Sequence, residues 1–283
     1  MAIFTNYATL SYSGGITNSN TVTGELMEAI SATKTAVVDS YGAGDNVTYV
    51  ISLLNSAATP LTGLTLTDDL GGYTVGTETV YPLSYTADSV LYYVNGILQA
   101  APAVTAGPPM TISGISIPAG GNATIIYQAD VTEFAPPSAG STIDNTVTVT
   151  GGGLSAPVAA TETISAAERA NLTISKAVSP NVVTENGQLT YTFVIQNNGN
   201  TPALASDNII VTDTFDPILE PISVVYNGAS WVQEVNYTYN NATGEFATIG
   251  GQITVPAASY TQNTDGSWTV TPGIAVLVVS GTV

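Results

Sequence analysis

The chain has 283 residues, of which only 8% are charged, and its formal net charge is -18. An ordinary globular protein carries about 25% charged residues, so the surface here must be built from hydroxyls and amides; nucleic acid and anionic membrane surfaces are excluded as partners, since both are held through Lys and Arg. With no Cys and no His, there is no disulfide, no thiol or imidazole catalysis and no zinc site of the usual kind.

The first stretch, "IFTNYATLSYSGG" (3–15), alternates apolar and polar residues like a half-buried strand. It lacks the basic and apolar regions of a secretory signal. A linker is expected over 16–30. Strands follow at "NVTYVISLLN" (46–55), "GLTLTDDL" (63–70), "ATIIYQADV" (123–131) and "NTVTVT" (145–150), by period and β-branching. Asn95-Gly96, Asn227-Gly228 and Asp265-Gly266 mark turns, the first and last as hairpins. The one helix-like stretch is the short "ISAAERA" (164–170). The longest apolar run, "IAVLVV" (274–279), is strand-sized and falls short of the roughly 18 residues of a membrane span. Short strands at this spacing predict an all-β protein made of antiparallel sandwiches.

An internal repeat runs through the chain. "SATKTAV" (31–37) matches "TISKAV" (173–178), and "DNVTYVISLLNSA" (45–57) matches "GQLTYTFVIQNNG" (187–199). "LTLTDDL" (64–70) matches "IIVTDTF" (209–215), "YVNG" (93–96) matches "VYNG" (225–228), and "ISIPAG" (115–120) matches "ITVPAA" (253–258). "TIIYQADV" (124–131) matches "VLVVSGTV" (276–283). The expected organisation is a donor strand over 1–15, the linker 16–30, module one over 31–152, a connector over 153–170 and module two over 171–283.

The phase of the repeat is uneven. Module one continues past Val131 to a last strand, "STIDNTVTVTGG" (141–152), for which module two has no counterpart. The counterpart sits at the other end of the chain: Asn6 aligns with Asn145 and Leu10 with Val149, Gly14 following close behind. A sandwich without its last strand has an open edge and an uncovered core face, and a lone strand is unstable. The expectation is donation of the N-terminal strand between copies, a heterologous head-to-tail contact that propagates without closing. The alternative is that the strand folds back onto module two of its own chain.

The only two lysines, Lys34 and Lys176, occupy equivalent places on the first strand of each module; the sole arginine, Arg169, lies in the connector. One reading is two strand lysines, each paired with a nearby Asp. The other is a Lys–Asn isopeptide bond. That reaction needs an amine made neutral by burial, an Asn carboxamide as electrophile, and a protonated acid beside them. Module one offers Lys34, Asn145 and Asp68, with Asp69 as a competing acid whose counterpart is Thr214. Module two offers Lys176 and Asp213, with Asn6 of the donated strand as the third member. Tyr7 or Ala8, alternating with Leu10, would supply the strand's apolar face.

The pattern of Lys, then "TYxIxxxN", then "xVTDxx", then "NTxTVTG" resembles the bacterial conserved-repeat immunoglobulin-like domains of surface proteins. It also resembles the isopeptide-crosslinked domains of Gram-positive pilins and adhesins. The resemblance implies two tandem immunoglobulin-like β-sandwich modules, with Lys34 joined to Asn145 beside Asp68, and Lys176 joined to Asn6 of a neighbouring copy beside Asp213. It implies a self-assembling structural subunit of an extracellular appendage, without cofactor or metal and without enzymatic turnover on other molecules. The absence of a signal peptide suggests release with a spore as the route to the surface. The competing function is an adhesin or carbohydrate-binding repeat cut from a larger surface protein.

Other residues support weaker readings. Asp39, Asp45 and Asn46 could ligate calcium but fit Gly-rich turns better. Trp231, Tyr237 and Tyr239 could stack on a sugar but fit cross-strand packing better. Glu234 and Glu245 have no glycosidase spacing. Asn46, Asn122, Asn171, Asn236 and Asn241 open glycosylation sequons that mean little in a Thr-rich chain.

Overall fold

The structure, a computed structural model, describes residues 2–26 and 30–283. Among them the only helical turn is the 3-10 turn Ala205–Asp207; the rest of the regular structure is strand. No helix among the described residues is long and apolar enough to cross a membrane. The chain divides into two compact units: 1–74, 79–132 and 143–164 form the first, and 75–78, 133–142 and 165–283 the second.

The N-terminal strand is not alone. Strand β1 (Ala2–Asn6) pairs antiparallel with β4 (Val22–Leu26), and β2 (Thr9–Tyr12) with β3 (Gly15–Asn18). Ser13 and Gly14 make the two-residue loop between Tyr12 and Gly15. The stretch read as the linker 16–30 therefore carries the return arm of a hairpin; its residues 27–29 lie outside the described part. A two-stranded sheet has no core of its own. Accordingly Phe4 (57% exposed), Leu10 (62%) and Val22 (56%) keep most of their surface in water.

Unit one is a sandwich of two antiparallel sheets. Its strands are β5 (Ile30–Ala36), β6 (Ser40–Tyr41), β7 (Asn46–Asn55), β8 (Leu61–Asp68), β9 (Leu91–Val94), β10 (Met110–Ile117), β11 (Asn122–Val131), β12 (Thr142–Gly151) and β13 (Val158–Ala166). One sheet has the order β9, β11, β7, β5, with short strands at Ile97–Leu98 and Leu83–Tyr85. The other runs from the short strand Ala103–Thr105 through β10, β8, β12, β13 and β6. Alternation decides which residues face inward. Val47, Tyr49, Ile51 and Leu53 of β7, and Ile125, Tyr127 and Ala129 of β11, are buried against Leu64 and Leu66 of β8 and Val147 and Val149 of β12. Strand β13 occupies the segment read as connector and as helix-like. Ala and Glu favour helix locally, but pairing with β12 and β6 overrides that preference. It also rewards the period-2 burial of Ile164 and Ala166.

Unit two repeats the first sheet. Strands β14 (Leu172–Ser179), β15 (Gln188–Asn197), β17 (Ile222–Tyr226) and β20 (Gly273–Thr282) lie in the order β14, β15, β20, β17. The second sheet is only β16 (Thr212–Thr214), β19 (Glu245–Thr248) and β18 (Tyr237–Tyr239), with β16 at its edge. Tyr191, Phe193, Phe215, Phe246, Leu277 and Val279 form the core between them.

The two units also share buried side-chain brackets. Asn55 donates to the carbonyls of Thr59 and Pro118 and accepts from Ala57 N–H. Asn197 does the same with Thr201, Pro256 and Gly199. Tyr92 OH donates to Ser116 O and accepts from Ser116 N–H, as Tyr226 OH does with Thr254. Asn95-Gly96 and Asn227-Gly228 both take the two positive φ angles of a type I′ turn. Asn55→Ala and Asn197→Ala each strand buried backbone groups, at an expected cost of about 3 kcal/mol. Chemical denaturation of the two variants checks this; a loss near zero in either would show the bracket to be dispensable.

Candidate functional site

In unit one the three expected residues converge. Lys34 on β5 points across the sandwich, and its Nζ lies 2.7 Å from Asp68 Oδ2 at the end of β8. Both side chains are closed to solvent, at 0% and 1% exposure. The amine sits 4.9 Å from the ring centre of Tyr49 and 5.7 Å from that of Tyr127, two rings stacked 5.4 Å apart. Burial pulls the Lys34 amine below the ordinary lysine range, and Asp68 opposes this only in part.

Tyr127 is the member that sequence reasoning missed. Its hydroxyl donates to Asp68 Oδ2 at 2.7 Å and accepts from Asn145 Nδ2 at 3.0 Å. It thereby bridges the acid to the carboxamide. Burial holds that hydroxyl strongly in its protonated form, as it does the hydroxyl of Tyr49. Tyr49 OH lies against the Asn145 amide without an aligned hydrogen bond, and Asn145 Oδ1 is buried with no hydrogen-bond partner. A fully buried carbonyl oxygen left unsatisfied calls for an explanation. The signal available in the sequence was a mismatch in the repeat: Tyr127 faces Tyr49 in the β7–β11 register, and Val279 faces Tyr191 at the same place in unit two.

Asp69 is not a second acid for this site. Its Oδ1 accepts from Gly71 N–H at 3.0 Å and from Thr146 N–H at 2.8 Å, holding β12 beside the end of β8.

In unit two, Lys176 on β14 forms an ion pair with Asp213 on β16. The amine lies 4.4 Å from the ring centre of Tyr191 and 5.5 Å from that of Phe215. This pair is open, with side chains 41% and 17% exposed. The covering layer differs between the units. Over β5 in unit one lie Asn145, Val147 and Val149 of β12 and Ile164 of β13, all fully buried, and Glu162 accepts from Ala36 N–H. Strand β14 is exposed along its whole length; Leu172, Ile174 and Val178 share the face of Lys176 and are 37%, 56% and 43% exposed. Asn6 is exposed on the N-terminal hairpin, opposite Val22.

The remaining candidates resolve into local structure. Asp45 accepts from Gly42 N–H, and Asn46 donates to Thr86 and Asp130. Among the described residues no group of three acidic or other ligating side chains could hold a metal. Trp231 stacks on Tyr226, Tyr237 is buried against Phe246, and Tyr239 OH brackets the backbone of Leu219. Glu234 and Glu245 line, with Asp213, an open cleft of about 400 Å³ beside β16.

By sequence the chain matches no known family and no curated protein. Its structure is similar to that of BcpA, the major pilin subunit of Bacillus cereus, with 11% identity over 96% of this chain and 73% of that one and a TM-score of 0.35. It is similar to RrgB, the pilus backbone protein of Streptococcus pneumoniae, with 13% identity over 86% of this chain and 55% of that one and a TM-score of 0.32. It is also similar to the collagen-binding domain of a Staphylococcus aureus adhesin, with 12% identity over 49% of this chain and 99% of that one and a TM-score of 0.31.

The bridging hydroxyl gives a direct test. Tyr127→Phe keeps the ring but leaves Asn145 Nδ2 buried without its acceptor, at an expected cost of about 1–3 kcal/mol to unit one. Val279→Tyr in unit two gives no matching gain, because no Asn amide lies beside it. Thermal melts of both variants check the pair; an unchanged Tyr127→Phe melt would show the bridge to be energetically idle.

Proposed function

We propose that the chain is a structural subunit of a surface appendage. Copies join head to tail when the N-terminal segment of one completes unit two of the next, and Lys–Asn isopeptide bonds reinforce the assembly. The observation that carries this reading is the asymmetry of the two Lys–Asp pairs. One is sealed by a strand that brings an Asn; the other is open on the side where that strand would lie.

The chemistry follows from the groups in unit one. Moving the proton from Lys34 to Asp68 turns a buried ion pair into a buried neutral pair, the form a low-dielectric pocket favours. The neutral Nζ attacks Cγ of Asn145, and the proton on Asp68 polarises the orphaned Oδ1. The new C–N bond forms as the Cγ–Nδ2 bond breaks. The two hydrogens that Nδ2 already holds, together with one from the amine passed through Asp68, leave as ammonia. Amine plus carboxamide thus give a secondary amide and one ammonia, with no oxidant or cofactor. The Tyr127 hydroxyl orients the departing nitrogen.

In unit two the lysine and the acid are in place, while the carboxamide, the cover over the pair and a counterpart of the Tyr127 hydroxyl are not. Asn6 is the matching residue, and Phe4, Ala8 and Leu10 align with the buried Ile143, Val147 and Val149. A slip of one residue would turn this apolar face outward, so the register is tightly specified.

The expected intact mass of the monomer is short by one ammonia, and Asp68→Ala restores the full mass. An unmodified Lys34 in a peptide map would remove the bond. For the assembly, filaments should survive boiling in detergent and run as a ladder on a gel. Asn6→Ala should give filaments that form and then fall to monomer in the same treatment. Wild-type filaments that collapse to a single monomer band would mean packing and hydrogen bonds alone hold the donated segment.

A further inference from the structure

We infer that the piece passed from one copy of this chain to the next is the whole N-terminal hairpin, residues 2–26, and not its first strand alone. The inference rests on the strand-donation reading above and specifies what is donated.

Unit one supplies the template. There the Asn-bearing strand β12 does not cover the core by itself. It turns through Gly151, Gly152 and Gly153 into β13, which pairs beside it. Strand β13 adds Ile164 and Ala166 to the buried set and sends Glu162 to the β5 backbone. The N-terminal segment has the same plan: an arm bearing Asn6, a turn at Ser13 and Gly14, and a return arm.

The two faces of the hairpin are unequal. Registered partners share a face, which puts Phe4 with Gly24, Asn6 with Val22, and Leu10 with Thr17. The Asn6 face therefore carries Phe4 and Val22 in the β1–β4 ladder, and in the separate β2–β3 ladder one face carries Leu10, Tyr12 and Thr17. Among the residues whose side chains are described, the other face carries Thr5 and Thr23 in the first ladder and Thr9, Ser11, Ile16 and Asn18 in the second. Val22 belongs to the return arm and is 56% exposed, so the apolar face spans both arms. Donation of the first strand alone would also break five registered pairs between β1 and β4 and four between β2 and β3. Donation of the hairpin keeps them all and still presents Asn6.

On the receiving side, the free edge of β16 is the position that β12 takes beside β8 in unit one. The uncovered Leu172, Ile174 and Val178 of β14 supply the apolar surface a two-stranded layer would bury.

Locking the hairpin shut tests this. Thr9 and Asn18 are registered partners on the hydroxyl-rich face, with Thr9 Oγ1 2.9 Å from Asn18 Oδ1. The chain has no cysteine, so Thr9→Cys with Asn18→Cys gives one possible intramolecular disulfide, formed by oxidising the dilute monomer and checked on a non-reducing gel for links between copies. Filament yield is read by sedimentation and microscopy for the oxidised and the reduced double variant beside wild type. The expected result is equal yield in both redox states. Polymerisation of the reduced form with loss of filaments on oxidation would overturn the hairpin and leave donation of a single strand. A wild-type chain that stays monomeric under the same conditions would instead remove donation between copies altogether.

Discussion

A lysine ammonium held at zero exposure beside a carboxylate is a costly arrangement, and much of unit one is organised around it. Two buried charges lose several kcal/mol each of hydration, and their attraction returns that only when every remaining donor and acceptor is placed. Unit one meets the condition with Tyr127 on one oxygen of Asp68 and Leu70 N–H on the other, two aromatic faces under the ammonium, and β12 closing the lid. The leftovers are the oxygen of Asn145 and the hydroxyl of Tyr49. Conversion of the pair to a covalent amide would remove both buried charges at once. A protein with so few charged side chains then has a reason to retain a lysine in its interior.

The same pair in unit two stands half in water, where screening makes an ion pair worth little. The lysine, the acid and an aromatic floor are present; what differs is the layer above and the place of Tyr127, which Val279 takes. Lys34 is closed off from solvent by the layer above β5, whereas Lys176 stays open along the exposed face of β14.

Much of this was legible in the sequence because the repeat did the work of a second structure. Lys34 and Lys176 stand out in a chain with three basic residues, and the Asp68–Asp213 alignment locates the carboxylate that each lysine meets in the structure. Tyr127 was hidden because its counterpart is valine, and a comparison of two copies highlights agreement rather than difference. The hairpin was hidden because its return arm, "GITNSNTVTGEL", reads as polar and Gly-rich, although the Ser13-Gly14 step before it is a turn signal. Strand β13 was misread because Ala, Glu and Arg near its end favour helix, whereas Val158, Ala160, Glu162, Ile164 and Ala166 follow the period of a strand.

The scarcity of basic residues has a consequence for how such a protein meets its surroundings. A protease that cleaves after Lys or Arg has three addresses in the whole chain. Lys34 is sealed in a sandwich core and Lys176 lies within a strand, which leaves Arg169, exposed in the short coil between β13 and β14. A cut there falls in the coil before β14, inside unit two, and leaves every described strand whole. Resistance to trypsin-like enzymes therefore turns first on this coil and next on Lys176, whose strand is exposed but hydrogen-bonded along β15.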